Sequence, residues 1–309
     1  MARYLVTGGA GFIGSHLVDH LVEAGHEVVV LDNLSTGARF NLPPQVDLVQ
    51  GDIAEFENLP ALIARVNGCF HLAAIASVQQ YQEGWAKAAK VNFYGSVRVL
   101  EAAARANVPV VYASSAAIYG NNPLQPLIET TMSRPISGYG VDKLAMEHHA
   151  EALKTTIGLR ATGLRFFNVY GPRQVPGSPY SGVISIFLNR LAAGQPITVF
   201  GDGEQARDFV YVSDVAGALM RAMSWTAAGN CGVFNICRGE AITLNDLIRV
   251  LAGVLECAPE IRYEESRAGD IRISLGSSVA AAERLGFTGN VALEEGLRYT
   301  ADWARKSSQ

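Results

Sequence analysis

Tyr139 and Lys143 stand four residues apart in the run Tyr139-Gly140-Val141-Asp142-Lys143, a spacing that puts both side chains on one face of a helix. An ammonium beside a phenol stabilises phenolate, so the tyrosine pKa is expected to fall toward working pH. Such a phenolate can take a proton from a substrate hydroxyl while a nicotinamide takes the hydride from the same carbon, and Lys143 could also bind the nicotinamide ribose. Taken alone, Y-x-x-x-K is a weak pattern that arises by chance on surface helices. It gains weight from Ser114-Ser115, which closes the apolar run Pro109-Val110-Val111-Tyr112-Ala113. There Ser115 can hydrogen-bond the reacting oxygen and relay its proton, or act only as a cap.

The hydride partner is written at the other end of the chain. Thr7-Gly8-Gly9-Ala10-Gly11-Phe12-Ile13-Gly14 follows the apolar run Tyr4-Leu5-Val6 and leads into the helical stretch Ser15 to Val22. Strand, tight glycine turn and helix N-terminus make a pyrophosphate site, because bare amides and the positive helix end face the anion and glycine lets the backbone come close. A second apolar run, Glu27 to Leu31, ends in Asp32. An acidic residue some 20 positions past the glycines holds a ribose 2′-hydroxyl and repels a 2′-phosphate. NAD is therefore expected over NADP. Arg39 lies nearby and reads as a solvated loop residue.

These groups need a frame, and strand and helix signals alternate to provide one. Strands are expected at Val46 to Gln50, Gly68 to Leu72, Pro109 to Ala113 and Arg160 to Phe166, with helices at Ala54 to Arg65, Trp85 to Arg105 and Tyr139 to Thr155. Repeated strand–helix units imply an α/β fold, a doubly wound parallel sheet (Rossmann) covered on both faces, with ligand at the carboxyl ends of the strands. After residue ~170 proline and glycine cluster. Helices are then expected at Val183 to Ala193, Val212 to Met223, Leu244 to Leu255 and Val279 to Leu285, with short strands near Ile197 to Phe200 and Val233 to Ile236. This predicts a cofactor domain over 1–170 with a return segment at about 210–237, and a smaller, mixed α/β substrate-binding lobe from 171–209 and 238–309.

Composition excludes several classes. The 309 residues are 49% apolar and 17% charged with net charge −4, which describes a globular chain and gives no basic surface for nucleic acid. No apolar run approaches the ~18 residues of a membrane span, and no charged-then-apolar leader opens the chain. A soluble, cytoplasmic protein is expected. Cys69, Cys231, Cys237 and Cys257 lack C-x-x-C spacing and read as reduced, with Cys69 and Cys237 buried as small apolar residues. His148 and His149 are adjacent, about 100° apart on a helix, and the six histidines show no ligand spacing, so no metal is expected.

The chain resembles the extended short-chain dehydrogenases/reductases, and within them the UDP-glucose/UDP-galactose 4-epimerases. The residues that carry the resemblance are Thr7 to Gly14, Leu31-Asp32-Asn33, Gly51-Asp52-Ile53, His71-Leu72-Ala73-Ala74, Ser114 to Gly120 and Tyr139 to Lys143. Further along come Leu164 to Pro172, Arg207 to Val212 and Arg267-Ala268-Gly269-Asp270. The resemblance implies catalysis by Ser115, Tyr139 and Lys143 with a permanently held NAD: the sugar 4-hydroxyl is oxidised, the 4-keto sugar swings about its diphosphate, and the hydride returns to the other face. It implies cofactor contacts from Gly8, Gly11, Phe12, Ile13, Gly14, Asp32, Asn33, Thr36 and Gly37. Asp52 and Ile53 are assigned to the adenine, Leu72, Ala73, Ala74 and Ala76 to the cofactor lining, and Asn92, Ser114 and Phe167 to the remaining cofactor contacts. For the UDP-sugar it implies Asn168, Arg207 and Arg267 at the diphosphate, whose oxygens suit a forked guanidinium. Thr198 and Phe200 fall at the uridine. Ser77, Val183, Phe209, Asp270 and Ser274 fall elsewhere around the substrate, with Phe209 where some members carry tyrosine.

Ser274 sits where some family members have a bulky tyrosine, so room for an N-acetyl group is expected and with it use of UDP-GlcNAc/UDP-GalNAc beside UDP-Glc/UDP-Gal. Other side chains could fill that space instead. Ala116 and Ala117 stand where the related 4,6-dehydratases carry an Asp-Glu pair, which leaves no acid to expel water. A UDP-glucuronate epimerase or decarboxylase stays open, as does a non-catalytic NAD-sensing protein on the same fold. The resemblance further implies a homodimer through the helices at Trp85 to Arg105 and Met146 to Leu153.

Overall fold

The structure is a computed structural model, and it describes residues 1–76, 81, 83–174, 182–266 and 269–307. Its strands are β1 (Arg3–Thr7), β2 (Glu27–Asp32), β3 (Asp47–Gln50), β4 (Gly68–His71), β5 (Val110–Ser115), β6 (Ala161–Phe166) and β7 (Asn168–Tyr170). They continue with β8 (Ile197–Phe200), β9 (Ala206–Arg207), β10 (Phe209–Tyr211), β11 (Gly232–Ile236), β12 (Ile242–Thr243), β13 (Ile261–Glu264) and β14 (Ile273–Ser274). Seven of them form one sheet in the order β11-β6-β5-β4-β1-β2-β3, parallel throughout. The order reverses direction at β1, between β4 and β2, and such a switch point opens the crevice where a doubly wound sheet binds its ligand.

Both faces of this sheet are buried, which explains why its strands read as near-continuous apolar runs. Neighbours in sequence point to opposite faces. Val6, Val30, Phe70 and Val111 pack with the helices Phe12–Glu23 and Val212–Ala227. Leu5, Val29, Cys69 and Val110 pack on the other side with the helices Ser96–Ala106 and Gly138–Ile157. A separate core forms around Phe187, Leu188, Ile197, Val199, Leu247, Leu251 and Leu297, with the small sheets β13-β8 and β12-β9-β14 beside it. The helix Val212–Ala227 packs on the large sheet, and β11 pairs with β6 at its edge.

Two elements depart from the sequence expectation. The helix expected over Ala54 to Arg65 is only Leu59–Ile63, because Pro60 lacks an N–H and is accommodated in a first turn alone. The helix expected over Trp85 to Arg105 is interrupted: Trp85–Ala89 and Ser96–Ala106 are α-helical, and Lys90–Gly95 between them is a π-helical turn. Such turns are rare and concentrate at functional sites; this one carries Asn92. Among the described residues no helix is long and apolar enough to cross a membrane.

Candidate active site

The carboxyl ends of β1, β2, β4 and β5 deliver Thr7, Asp32, His71 and Ser115 to one edge of the sheet. After Thr7 the backbone turns through Gly8, with φ +71°, and enters the helix at Gly11. No side chain caps that helix and its first turn carries no acid, so its leading amides are left for an anion. A Cβ on Gly8 would stand 2.7 Å from the Ala73 backbone, and one on Gly14 only 2.2 Å from the Gly8 carbonyl oxygen. Only glycine lets strand, turn and helix come this close, and Phe12 and Ile13 enter the helix between them.

Asp32 is buried and accepts hydrogen bonds from the amides of Ala10 at 3.0 Å and Leu34 at 2.8 Å. The second carboxylate, Asp52, accepts from the Asn33 side chain at 2.9 Å and the Ala54 amide at 2.8 Å. Thr36 is exposed and Gly37 packs on Ala10, while Ile53 is buried under Gly95. These groups form a fitting cradle for a dinucleotide: bare amides for the diphosphate, and carboxylates with unused lone pairs for ribose hydroxyls.

Beyond β4 the chain from Leu72 to Ala76 runs alongside the glycine turn. Leu72 donates to the Thr7 carbonyl at 3.0 Å and Ala73 to the Thr7 hydroxyl at 3.3 Å. Ala74 is half-buried and Ala76 exposed. Asn92, wholly buried on the π-helical turn, accepts from the Ile75 amide at 2.7 Å and donates to the Ile75 carbonyl at 2.9 Å. It therefore holds the loop like a strand partner, a role that sequence spacing did not reveal. Beneath it His71 bridges the Thr7 hydroxyl at 2.8 Å and the Ser96 hydroxyl at 2.9 Å. Burial, helped by the charge of Lys143, lowers the His71 pKa to about 3, which leaves the ring neutral.

Ser115, Tyr139 and Lys143 come together at the end of β5. Ser137 caps the long helix by accepting from the Gly140 amide, and so starts it just ahead of Tyr139. The Ser115 hydroxyl accepts from the Ala117 amide at 3.1 Å, the capping role weighed from sequence, and lies close enough to the Tyr139 phenol to lower its pKa. Lys143 is buried, donates to the Ala113 carbonyl at 2.7 Å and stands 5.7 Å from the centroid of the Tyr139 ring.

The electrostatics differ from the sequence expectation. Desolvation raises the Tyr139 pKa, and the neighbouring Ser115 hydroxyl offsets this only in part. Desolvation also lowers Lys143 to about 8, against the opposing pull of Asp142 and Glu147. Four-residue spacing does bring the two groups together, but the ammonium spends its directed hydrogen bond on a backbone carbonyl. In the protein alone the phenol is thus protonated near neutral pH.

Ser114 is wholly buried and its hydroxyl donates to Glu147, so its side chain is committed inside the protein. Phe167 is buried against Tyr119. Of the residues assigned to substrate, Asn168 is exposed on β7, which pairs with β10. Val183 begins a helix, and Thr198 and Phe200 are half-buried on β8. Arg207 donates to Asp270 at 2.7 Å and lies level with Ser274 in the β14–β9 ladder. Phe209 is buried edge-on to Tyr170. Ser77 and Arg267 lie outside the described residues.

Three supporting groups had no sequence signal strong enough to single them out. Tyr81 donates to Asp142 at 2.5 Å and accepts from Asn92 at 2.7 Å, which ties the π-helical turn to the helix of Tyr139. Glu147, one turn beyond Lys143, is clamped by Arg165. Asp208 is wholly buried and accepts from the amides of Arg238, Gly239 and Gly276. Its burial raises the carboxyl pKa to about 6 against those hydrogen bonds. Only Glu147 had a readable cue, its helical repeat with Tyr139 and Lys143.

A family profile described as "NAD dependent epimerase/dehydratase family" matches residues 4–237. Among solved structures, the chain is similar to the UDP-glucose 4-epimerase of Thermotoga maritima with UDP-glucose, at 40% identity and a TM-score of 0.94, covering 99% of this chain and 100% of that one. It is also similar to the UDP-N-acetylglucosamine 4-epimerase of Methanobrevibacter ruminantium in complex with UDP-N-acetylmuramic acid, at 34% identity and 0.95, covering 99% of both chains. A third is the UDP-glucose 4-epimerase of Thermus thermophilus in complex with NAD, at 37% identity and 0.89, covering 98% and 99%.

Proposed function

The chain belongs to the NAD dependent epimerase/dehydratase family, and from that premise we propose that it is a UDP-sugar 4-epimerase holding NAD through turnover. The substrates are UDP-Glc/UDP-Gal and, through Ser274, UDP-GlcNAc/UDP-GalNAc. The observation that carries this reading is the meeting of Ser115, Tyr139 and Lys143 at the strand end next to the glycine turn, with the Lys143 ammonium 5.7 Å from the centroid of the Tyr139 ring. The similar structures hold UDP-glucose, UDP-N-acetylmuramic acid and NAD in turn, and the second is named a UDP-N-acetylglucosamine 4-epimerase, which supports a UDP-sugar substrate and an NAD cofactor.

Bound NAD supplies an acceptor for the C4 hydride and a positive ring. The positive charge of a bound nicotinamide ring, added to that of Lys143, would favour loss of the Tyr139 phenol proton; as phenolate, Tyr139 takes the proton of the sugar 4-hydroxyl, with Ser115 placed to relay it. Lys143 adds positive charge under the tyrosine ring. On the return step Tyr139 gives the proton back to the 4-oxygen while C4 receives its hydride from the opposite face. Gly8, Gly11 and Gly14 hold the cofactor diphosphate, Asp32 and Asp52 its adenosine end, and Asn168, Arg207 and Arg267 the diphosphate of the sugar. Residues 1–170 with the return at about 210–237 hold the cofactor, and 171–209 with 238–309 hold the UDP-sugar. We also propose a cytoplasmic homodimer, in which the exposed Trp85, Tyr94 and Val141 lie on the helices that meet; a monomeric elution profile at micromolar concentration would refute that.

The test is product identity. Purified protein incubated with UDP-Glc and UDP-GlcNAc side by side yields UDP-Gal and UDP-GalNAc without added NADH, and Tyr139→Phe yields neither. Release of carbon dioxide from UDP-glucuronate, or stoichiometric consumption of NADH, would replace this reading by a decarboxylase or a reductase.

A further inference from the structure

Gln125 lies in the loop between Ser115 and Tyr139, and its side chain reaches across to the strand that carries Ser274. Its amide nitrogen donates to the Ile273 carbonyl at 3.2 Å and to the Asn122 carbonyl at 3.1 Å. Its amide oxygen accepts from the Leu275 amide at 3.0 Å. The two contacts to this strand bracket Ser274 from both sides, while the Ser274 carbonyl itself accepts from the Asp208 amide at 3.0 Å on the opposite edge. Leu127 continues the contact, donating to the Leu275 carbonyl at 2.8 Å and accepting from the Ser277 amide at 2.9 Å. One loop therefore spans the catalytic serine and tyrosine and also fixes the strand of Ser274.

Resting on the reading of Ser274 as a wall of the sugar pocket, we propose that Gln125 is a positioning residue for sugar selection. It satisfies the outer edge of β14 with both ends of one planar amide. Two donors and an acceptor are needed at once, and among side chains an amide supplies that set. A short side chain at 125 leaves the Ile273 carbonyl and the Leu275 amide without these partners, and the strand shifts or frays there. An N-acetyl group resting on Ser274 feels that movement, and a 2-hydroxyl, being smaller, does not reach the wall. Gln125 thus acts through Ser274 and touches neither the sugar nor the cofactor.

The experiment compares wild type, Gln125→Ala and Gln125→Glu. The first readout is the ratio of kcat/KM for UDP-GlcNAc to that for UDP-Glc, and the second is hydrogen–deuterium exchange of the peptide spanning 273–277. Gln125→Ala is expected to lower the ratio at least fivefold and to speed exchange at Leu275 at least tenfold. Gln125→Glu keeps the acceptor for Leu275 and loses both donors, so it falls between. Equal loss on both sugars, or unchanged exchange at Leu275, overturns the proposal. Wild-type protein that turns over neither sugar sinks the epimerase reading instead, and exchange at Leu275 still decides whether Gln125 holds the strand.

Discussion

Arg165 grips Glu147 with two parallel hydrogen bonds, Nε to Oε1 at 3.0 Å and Nη2 to Oε2 at 2.7 Å, in a place where neither side chain is more than 9% exposed. The pair lies behind the proposed catalytic groups. Glu147 accepts from Ser114, next to Ser115, and rides on the helix of Tyr139 and Lys143. Arg165 sits on β6 and donates to Tyr119 at 2.7 Å and to the Glu129 carbonyl at 2.8 Å. One ion pair thus joins the elements that hold Ser115, Tyr139 and Lys143, the three residues proposed to be catalytic. Removing one partner leaves the other charge buried, so Arg165→Met is expected to destabilise the fold by about 3–5 kcal/mol. Pairing it with Glu147→Leu should recover much of that loss. Urea denaturation of both single variants and the double variant measures the coupling, and additive losses would show that the pair does not act as a unit.

Gly14→Ala should empty the cofactor cradle. The new methyl would stand 2.2 Å from the Gly8 carbonyl and 2.7 Å from the Gly9 Cα, both rigid backbone, so the turn must open and lose its amide geometry. Dinucleotide retained through purification should fall at least tenfold, as measured by absorbance of the denatured supernatant. Full retention would mean that the turn does not bind the diphosphate.

His71 makes the fold acid-sensitive in a defined window. Its native pKa of about 3 lies below the ordinary histidine value of 6.5, so below pH 6.5 the unfolded chain binds a proton that the folded one refuses. Stability then falls as pH drops, by roughly 2 kcal/mol at pH 5. Asp208 works in the opposite sense. Raised from 3.8 to about 6, its contribution is present below pH 3.8 and is lost as pH rises through 6. Comparing wild type with His71→Gln isolates the histidine: the variant should lose its part of the slope between pH 6.5 and 5. Parallel slopes would show that His71 is not held neutral.

Ser274→Tyr should remove turnover of acetylated sugars selectively. Ser274 is 9% exposed and level with Arg207 across the ladder, so a phenol there must enter the adjoining space. The kcat/KM for UDP-GlcNAc is expected to fall at least a hundredfold more than that for UDP-Glc. Equal loss on both would place the selectivity elsewhere.

The strands and the glycine turn were legible because their signals are local. Alternating apolar residues such as Leu5 and Val6, or Val110 and Val111, face two buried layers, and a tight turn demands glycine whatever surrounds it. Helix interruptions were less legible. Pro60 marks a start that the apolar pattern overran, and nothing in Lys90 to Gly95 announces a π-helical turn, which forms where Asn92 can reach the Ile75 backbone. The meeting of Tyr139 with Lys143 follows from helix period, yet the direction of the phenol's pKa does not. It depends on how much water Ser115 and the surrounding chain remove. Asp208, Arg165 and Gln125 act on partners 30, 18 and 148 residues away, and such pairings exist only once the sheet and loops are assembled.

Transfer of label at C4 tests the central claim most directly. UDP-glucose carrying deuterium at C4 is incubated with the purified protein in ordinary water beside a large pool of unlabelled NADH. The account predicts UDP-galactose with the deuterium still at C4 and no label in the NADH pool, because the same hydride leaves and returns within one closed site. Loss of deuterium from the product to solvent or to the pool, or a product unchanged at C4, would contradict it.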